Sequence, residues 1–349
     1  MLVALLKYGL FHGEEPSLLF AADQWGSLIA DAKRHAVTAL LYDAVSRLSL
    51  AHGEAVPREV LFRLLSSVET IENDNRRREA ALQHFAQTVH ETLNIDTIVV
   101  KGSSLARCYP LPLHRECGDN DVYFPRELGL QVDALLRQQG IDIDTKDPRH
   151  SSFLFDGVPF ESHRYLLYPT LAGDDSGEPQ WRTCPLSDHL LQLTLGHAAL
   201  FTAAHLEHHA VFFNEPLPLG KLVDWALLLQ DGFDYDEFNR VKVGYDVDRF
   251  ADLLTQYCVA RFGIAPPRGF RPLSDRALRD FEAIYMRPQP RHRWALVRVI
   301  RRSAKYLRYR RTYREIYGSS PFSRFYWCNL LQALHQLFTS KPRAQGREV

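Results

Sequence analysis

The chain has 349 residues, of which 46% are hydrophobic and 24% are charged, and its 42 Lys and Arg residues balance its 42 Asp and Glu residues. This composition excludes a disordered chain, and the length suffices for two or three compact units with their own cores. The even charge balance favours no particular partner for the chain as a whole. The five cysteines include no Cys-x-x-Cys pair, which argues against a zinc knuckle and fits a reducing, cytoplasmic environment.

The first part of the chain has the apolar spacing of helices. Apolar residues recur three and four positions apart at Leu61, Leu64, Leu65, Val68 and Ile71. The opening stretch "MLVALLKYGLFHGEEP" is interrupted by Lys7 and lacks a cleavage site, so it predicts an amphipathic helix rather than a signal peptide. No window approaches the roughly twenty apolar residues of a membrane span, so we predict no transmembrane segment.

The pattern then changes to that of a small sheet. "NIDTIVVKG" is a β-branched run that ends at a glycine, as a buried strand feeding a turn does. The elements that follow are a short helix "SSLARCY", a strand "DNDVYF" and a helix "RELGLQVDALLRQQG" closed by Gly140. Two strands then flank Asp156-Gly157, a two-residue hairpin signal. We therefore predict the order β-α-β-α-β-β for residues 94–170.

Everything after the loop "AGDDSGEPQ" has the spacing of helices. The sequence thus predicts an α+β fold, in which a small mixed β-sheet core is flanked by helical regions. The predicted regions are residues 1–92 (N-terminal, helical), 93–172 (the α/β core) and 173–349 (C-terminal, helical).

Two aspartates lie two residues apart on the second predicted strand. Asp119 and Asp121 therefore project from one face, with their Cβ atoms roughly 7 Å apart. Two carboxylates this close raise each other's pKa unless a cation lies between them, so the pair indicates a divalent metal. Oxygen ligands favour Mg²⁺ or Mn²⁺ over Zn²⁺. A lone Asp-x-Asp, however, is more often only a turn before a strand.

The turn after the first predicted strand has the features of an anion site. Gly102 ends that strand and opens a short helix, which leaves the backbone N–H groups of Ser103 and Ser104 free for a phosphate. Lys101 adds a positive charge at the same edge. Alone, this tetrapeptide is a weak motif, because a glycine after a strand is usually just a turn.

A third carboxylate, Glu161, lies on a later predicted strand, with His163 on the same face. Three oxygen ligands on adjacent strands beside a phosphate cradle are what metal-assisted phosphoryl or nucleotidyl transfer requires. Cations held there neutralise charge on the attacking and leaving oxygens.

Taken in order, these motifs resemble a known family. The matching positions are Lys101-Gly102, Tyr109-Pro110, Arg115, Gly118-Asp119-Asn120-Asp121 and Glu161-Ser162-His163. The set is similar to the DNA polymerase β-like nucleotidyltransferase superfamily and, more narrowly, to the bacterial "uncharacterised nucleotidyltransferase" family. The resemblance is closest over residues 93–168 and looser in the helices that follow.

The resemblance implies a metal-dependent transfer of NMP from an NTP, with release of pyrophosphate. Asp119, Asp121 and Glu161 would be the catalytic residues and would ligate Mg²⁺ or Mn²⁺. The implied nucleotide-binding residues are Lys101, Gly102, Ser103, Ser104, Arg115, His163, His197, Lys221 and Asp224. ATP is the expected NTP, and the acceptor stays open between a protein, an RNA and a small molecule.

The sequence departs from the family at Asn120, where an apolar residue usually points into the core. A buried Asn that finds no hydrogen-bond partner costs about 1–3 kcal/mol. Either this strand edge is more open than in the family, or the site has drifted and is inactive.

Two further patterns leave alternatives. His197, His205 and His208 fall near one helical face but lack the spacing of a zinc protease, so only His197 receives a role, through the resemblance. The basic segment 291–314 predicts an amphipathic helix whose charged side is either solvated or bound to an anionic partner, such as RNA or a membrane surface. The alternative function is a non-catalytic nucleotide-binding or RNA- or membrane-interacting protein that retains the fold.

Overall fold

The computed structural model describes most of the chain. The described residues are 1–16, 24–52, 56–147, 149–167, 180–212, 215–230, 233–242, 247–287 and 295–318. The N-terminal helices among them are α1 (Leu2–Leu10), α2 (Gln24–Arg34), α3 (Thr38–His52) and α4 (Arg58–Leu93). The predicted helical character of the N-terminal region is confirmed.

The strands among the described residues form one mixed sheet in the order β3-β4-β5-β2-β1-β7-β6. Their bounds are β1 (Thr97–Val99), β2 (Asn120–Tyr123), β3 (Ile143–Asp144), β4 (His150–Phe155), β5 (Val158–His163), β6 (Thr183–Ser187) and β7 (Leu190–Leu193). The central strand β2 is antiparallel to β1 and parallel to β5, and β1 is parallel to β7. The predicted α+β fold with a mixed sheet is confirmed.

One face of the sheet packs against α4. The ring of Phe85 on α4 is fully buried and lies 5.0 Å from the ring of Phe160 on β5. Val122 of β2 belongs to the same apolar cluster. Because side chains alternate along a strand, Asn120 shares this face, whereas Asp121 points to the opposite one.

Two short helices connect the strands of the core: α5 (Ser103–Ala106) and α6 (Arg126–Gln138). Both were predicted, and Gly140 follows α6 with a φ of +79°. The predicted hairpin is also confirmed, since Asp156 and Gly157 join β4 to β5 with φ angles of +53° and +71°.

The prediction that only helices follow the loop ending at residue 180 is wrong. β6 and β7 form an antiparallel hairpin that extends the sheet beyond β1, and the short strand β3 was also missed. β6 contains Pro185, which is typical of an edge strand and breaks the strand pattern. β7 is four residues long and is followed almost at once by a helix, so in the sequence the strand and the helix look like one apolar run.

The C-terminal helices are α7 (Leu195–Glu207), α8 (Leu219–Leu228), α9 (Tyr235–Val241), α10 (Asp248–Phe262), α11 (Asp275–Phe281), α12 (Ala295–Arg308) and α13 (Arg310–Tyr317). They share a core with the N-terminal helices, in which Leu5, Trp225 and Leu254 are fully buried. The backbone N–H of Gly220 also donates to the carbonyl of His35 at 2.9 Å. The predicted α/β core ended at residue 172, but β6 and β7 extend the sheet beyond that residue. In other respects the division into three regions stays a prediction.

The basic segment is amphipathic, as predicted. Its exposed side carries Arg301, Arg308, Arg310, Arg311 and Arg314, and its buried side carries Tyr306, Tyr313 and Tyr317. The first positions of the segment, residues 291–294, lie outside the described residues. Among the helices of the described part, none combines the length and the apolar character needed to cross a bilayer. The cytoplasmic location stays a prediction.

Candidate functional site

Three carboxylates gather where β2 and β5 run side by side. Asp121 on β2 pairs in register with Glu161 on β5, and Asp119 lies just before β2. In a parallel pair, residues in register project from the same face, so Asp121 and Glu161 stand next to each other on the side away from α4. Asp119, Asp121 and Glu161 are termed the acid cluster below.

Asp121 is held by two basic side chains. Its Oδ1 accepts a hydrogen bond from Lys101 Nζ at 2.8 Å and lies 2.9 Å from His163 Nε2. Burial alone would raise the pKa of Asp121, but the Lys101 ammonium and the His163 hydrogen bond hold that pKa well below its usual range. Asp121 is therefore ionised at neutral pH.

The other two carboxylates have less positive charge beside them. Burial, and then the charge of Asp121, raise the pKa of both Asp119 and Glu161. The Glu161 oxygens lie 3.6 Å from His163 Nε2 and 3.9 Å from His150 Nε2, beyond normal hydrogen-bond distance. The acid cluster thus has more negative charge than its direct partners neutralise.

The donor set of the acid cluster fits a hard divalent cation. One oxygen each from Asp121 and Glu161 and a ring nitrogen of His163 lie within 4.8 Å of one another. Asp119 adds a third carboxylate immediately before the same strand. Surplus carboxylate oxygens suit Mg²⁺ or Mn²⁺. His163, which we expected at the nucleotide, lies among these donors.

The Gly102 turn lies next to the acid cluster. Gly102 has a φ of +59°, a conformation that strongly favours glycine, and it opens α5 at Ser103. A Cβ added at Gly102 would lie 3.8 Å from the carbonyl oxygen of Asp119. The backbone N–H and the Oγ of Ser104 both donate to the carbonyl of Lys101, at 3.2 and 3.3 Å. The prediction that this N–H is free for a phosphate is therefore wrong. The predicted phosphate side and the predicted metal side are therefore neighbours.

A cavity of about 310 Å³ borders this turn on the side of the sheet that faces α4. Gly102 and Ser103 line it together with Arg78, Arg115 and Asn120. Arg107 and Glu79 line it as well, so basic side chains outnumber acidic ones in the lining.

Arg115 and Asp224, both expected at the nucleotide, are bound to each other. Asp224 accepts hydrogen bonds from Arg115 Nε at 2.7 Å and Nη2 at 2.9 Å, and from the Tyr109 hydroxyl at 2.6 Å. The remaining nitrogen, Nη1, lies 3.4 Å from the carbonyl oxygen of Gly102 and donates to Cys117 Sγ at 2.6 Å. Arg115 and Asp224 are both buried. Arg115 thus positions the Gly102 turn, and its direct contact with phosphate stays a prediction.

Asn120, where the sequence departs from the family pattern, has a hydrogen-bond partner. Its side chain is 3% exposed and faces α4, where Nδ2 donates to the backbone carbonyl of Arg78 at 3.1 Å. The strand is therefore not open at this residue. A polar side chain is accommodated on the face opposite to Asp121.

Two charged or polar side chains from the C-terminal helices approach the acid cluster. The charge of Lys221 of α8 partly offsets the rise in the pKa of Asp119 and adds to the effect of Arg115 in lowering the pKa of Asp224, while burial lowers the pKa of Lys221 itself. His205 of α7 lies near Asp121, and burial and the charge of Lys101 hold the pKa of His205 well below its usual range. His205 is therefore a neutral imidazole beside the acid cluster. We assigned it no role from the sequence, although its i+8 spacing from His197 puts both on one helix face.

His197 lies at a second cavity, of about 530 Å³. Its ring is 1% exposed and stands 5.7 Å from the ring of Trp181, at 67°. Within the described residues neither of its ring nitrogens has a hydrogen-bond partner. Burial lowers the pKa of His197, so this imidazole is also neutral.

A family model described as "Uncharacterised nucleotidyltransferase" matches residues 21–263, more than half of the chain. The match includes the whole acid cluster, the Gly102 turn and both Arg115 and Asp224. No curated protein and no solved structure matches the chain. The chain therefore belongs to the uncharacterised nucleotidyltransferase family.

Proposed function

We propose that this protein is a metal-dependent nucleotidyltransferase with a DNA polymerase β-like active site, which transfers NMP from an NTP to an acceptor and releases pyrophosphate. The acid cluster is the observation that carries this proposal. It sets three carboxylates beside a glycine turn, and among the described residues a single ammonium, that of Lys101, bonds to them directly. Membership of a nucleotidyltransferase family supports a transferase.

Asp119, Asp121 and Glu161 would hold Mg²⁺ or Mn²⁺, which would neutralise charge on the α-phosphate and the leaving oxygens. His163 would keep the Asp121 carboxylate in orientation through its 2.9 Å hydrogen bond. Burial, and then the charge of Asp121, raise the pKa values of Asp119 and Glu161, and a bound cation would favour the ionised form of both.

The triphosphate would lie against the Gly102 turn. The missing side chain of Gly102 lets a phosphate approach the backbone closely, and the N–H group of Ser103 would donate to it. Lys101 and Lys221 provide positive charge at the same edge. The Gly102 turn stays in place because Arg115 bonds to its carbonyl.

The nucleoside would extend along α7 toward His197. The helical rise of 1.5 Å per residue puts His197 about 12 Å from His205, which lies at the acid cluster. Trp181 offers an aromatic surface for a base, and the neutral imidazole of His197 offers one donor and one acceptor. ATP is the NTP that we expect to bind.

The acceptor hydroxyl would approach from the side of Glu161. In the sheet, β5 with Glu161 and β1 with the Gly102 turn lie on opposite sides of β2. The triphosphate and the acceptor would then flank Asp121, as an in-line displacement requires. A protein side chain, an RNA end and a small molecule each provide a suitable hydroxyl.

A non-catalytic role in binding RNA or a membrane is the second candidate function, and the exposed arginines of α12 and α13 favour it. Arg301, Arg308 and Arg311 are exposed, while Tyr306 and Tyr313 anchor the other side in the core. Such a surface suits phosphate groups. In that case the acid cluster would bind nucleotide without turnover.

The test is incubation of the protein with each α-labelled NTP, Mg²⁺ and a cell extract, followed by separation of protein, RNA and small molecules. We expect label from ATP in one fraction, and none with the Asp119→Asn, Asp121→Asn double variant. Label in RNA that depends on Arg301 and Arg308 would identify the basic helices as the acceptor platform. If no NTP labels any fraction, transfer is contradicted and the binding role gains.

A further inference from the structure

A second group of metal-ligating side chains lies at the other end of β1 from the Gly102 turn. His90 is near the end of α4, Asp96 comes just before β1, and His189 is in the turn between β6 and β7. His90 Nδ1 lies 3.0 Å from Asp96 Oδ1, and His189 Nδ1 lies 3.8 Å from the same oxygen. One donor atom from each of the three side chains falls within 4.8 Å of the others.

The backbone around His189 is held in an uncommon conformation. His189 has a φ of +59°, which non-glycine residues rarely adopt and which persists only where the surroundings enforce it. Its carbonyl accepts a hydrogen bond from Thr97 N at 2.9 Å. Gln83 of α4 donates to the carbonyl of Asp188 at 2.8 Å and accepts from Ser187 Oγ at 3.0 Å. These hydrogen bonds connect the turn to both α4 and β1, and the ring of His189 stacks on the ring of His90.

The two imidazoles share one carboxylate. Their rings stack with centroids 3.8 Å apart, at 21°. His90 is within hydrogen-bond distance of Asp96, while the Nδ1 of His189 faces the same oxygen from beyond that distance. Both Nδ1 atoms thus lie near the same Asp96 oxygen, and the three donor atoms are close enough for a single cation to contact all of them.

We propose that His90, Asp96 and His189 form a second metal site, which takes a borderline divalent transition metal such as Zn²⁺. Two imidazole nitrogens and one carboxylate oxygen are a donor set that suits Zn²⁺ and does not suit Mg²⁺. Water completes the coordination, since each side chain is partly exposed. The metal joins α4, β1 and the β6–β7 turn, so it stabilises the sheet independently of nucleotide transfer.

The test is a calorimetric Zn²⁺ titration of the untagged full chain, with Mg²⁺ present and with thermal unfolding measured in parallel. The wild type should bind one Zn²⁺ at this site and unfold at a higher temperature with it. His90→Gln and His189→Asn should each weaken binding by at least about tenfold, because loss of even an outer partner of a ligand costs 10–100-fold. Asn tolerates the positive φ of residue 189, so the backbone is kept.

The matched control is His84→Gln. His84 lies on the same helix and also pairs with an aspartate, Asp156, at 2.7 Å, but it belongs to no group of three donors in the described residues. His84→Gln should keep wild-type Zn²⁺ affinity, and so should Glu161→Gln, which alters the acid cluster. The proposal is overturned if the wild type binds no Zn²⁺ stoichiometrically, if His90→Gln and His189→Asn bind it like the wild type, or if Glu161→Gln abolishes binding.

Discussion

The Arg115–Asp224 pair and the acid cluster are both charged groups next to the Gly102 turn, but they differ in how completely their charges are paired. Both oxygens of Asp224 are hydrogen-bonded, and although burial would raise its pKa, the charge of Arg115 lowers it. In the acid cluster, the pKa values of Asp119 and Glu161 are raised instead. In the Arg115–Asp224 pair the two charges are paired within the protein, so we expect the pair to stabilise the fold. The acid cluster leaves charge for a ligand, which is typical of functional sites.

Removing Asp224 should have the largest effect on stability. Asp224→Ala leaves the Arg115 guanidinium buried without its carboxylate, so the free energy of unfolding should fall by about 3–5 kcal/mol. Tyr109→Phe, which removes one hydrogen bond to the same carboxylate, should cost less, about 1.5–3 kcal/mol. Urea unfolding followed by circular dichroism measures both. An unchanged unfolding midpoint for Asp224→Ala would contradict the structural role of the pair.

Removing Asp119 should lower activity but not stability, in contrast to removing Asp224. Asp119→Asn should lower the rate of nucleotidyl transfer by at least about 10²-fold, because electrostatic stabilisation of the transition state is lost. The stability of the ligand-free protein should stay the same or rise, because repulsion from Asp121 is relieved. Initial rates and urea unfolding are the measurements, and Asp74→Asn on the exposed side of α4 is the control. A loss of stability like that of Asp224→Ala would remove the distinction between the two regions.

The pH dependence that Asp119 and Glu161 contribute should differ in sign from that of Asp224, whereas Asp121, with its lowered pKa, should follow Asp224. A carboxyl group whose pKa is raised in the folded state binds more protons there than in the unfolded state, so Asp119 and Glu161 make the ligand-free protein more stable as the pH falls through their raised pKa values. Asp224, with its lowered pKa, contributes stability above the unfolded pKa that is lost as the pH falls through the folded one. Urea unfolding across the acid range should therefore show a smaller gain on acidification in Glu161→Gln than in the wild type.

The affinity for Mg²⁺ should depend on the ionisation of the same two carboxyl groups, Asp119 and Glu161. Mg²⁺ needs Asp119 and Glu161 ionised, so its affinity should fall on acidification and its binding should release protons. Calorimetry in two buffers of different ionisation enthalpy counts these protons. Binding without proton release just above the ordinary carboxyl range would show that these carboxyl groups are not the ligands.

The smallest effect is expected at Asn120. Asn120→Ala removes the hydrogen bond to the carbonyl of Arg78 and should cost about 1 kcal/mol of stability. Because this side chain faces α4, the transfer rate should stay within about twofold of the wild type. A rate loss as large as that of Asp119→Asn would mean that Asn120 takes part in the site.

The sequence predicts those parts of the site that depend on local backbone. Gly102, the spacing of Asp119 and Asp121, and the Asp156-Gly157 hairpin follow from residue types at adjacent positions, and the described structure contains them. Contacts between distant segments were not predictable in this way. Arg115 and Asp224 are 109 positions apart, and nothing local indicates that they bind each other.

The missed elements have the same cause. β7 becomes a strand because it pairs with β1, about ninety residues earlier in the chain. His205 reaches the acid cluster because of how α7 packs in the fold, and no local pattern distinguishes it from His197. Residue type and spacing thus predicted local backbone features better than the packing of distant segments.

The most direct test of the central claim is a calorimetric titration of ATP into the protein with and without Mg²⁺. We expect ATP to bind the wild type and Asp74→Asn in a Mg²⁺-dependent way, and Asp119→Asn to lose at least about tenfold in affinity, or 1.4 kcal/mol. ATP binding that is equally tight without Mg²⁺, or in Asp119→Asn, would contradict the assignment of the acid cluster as a cation and nucleotide site.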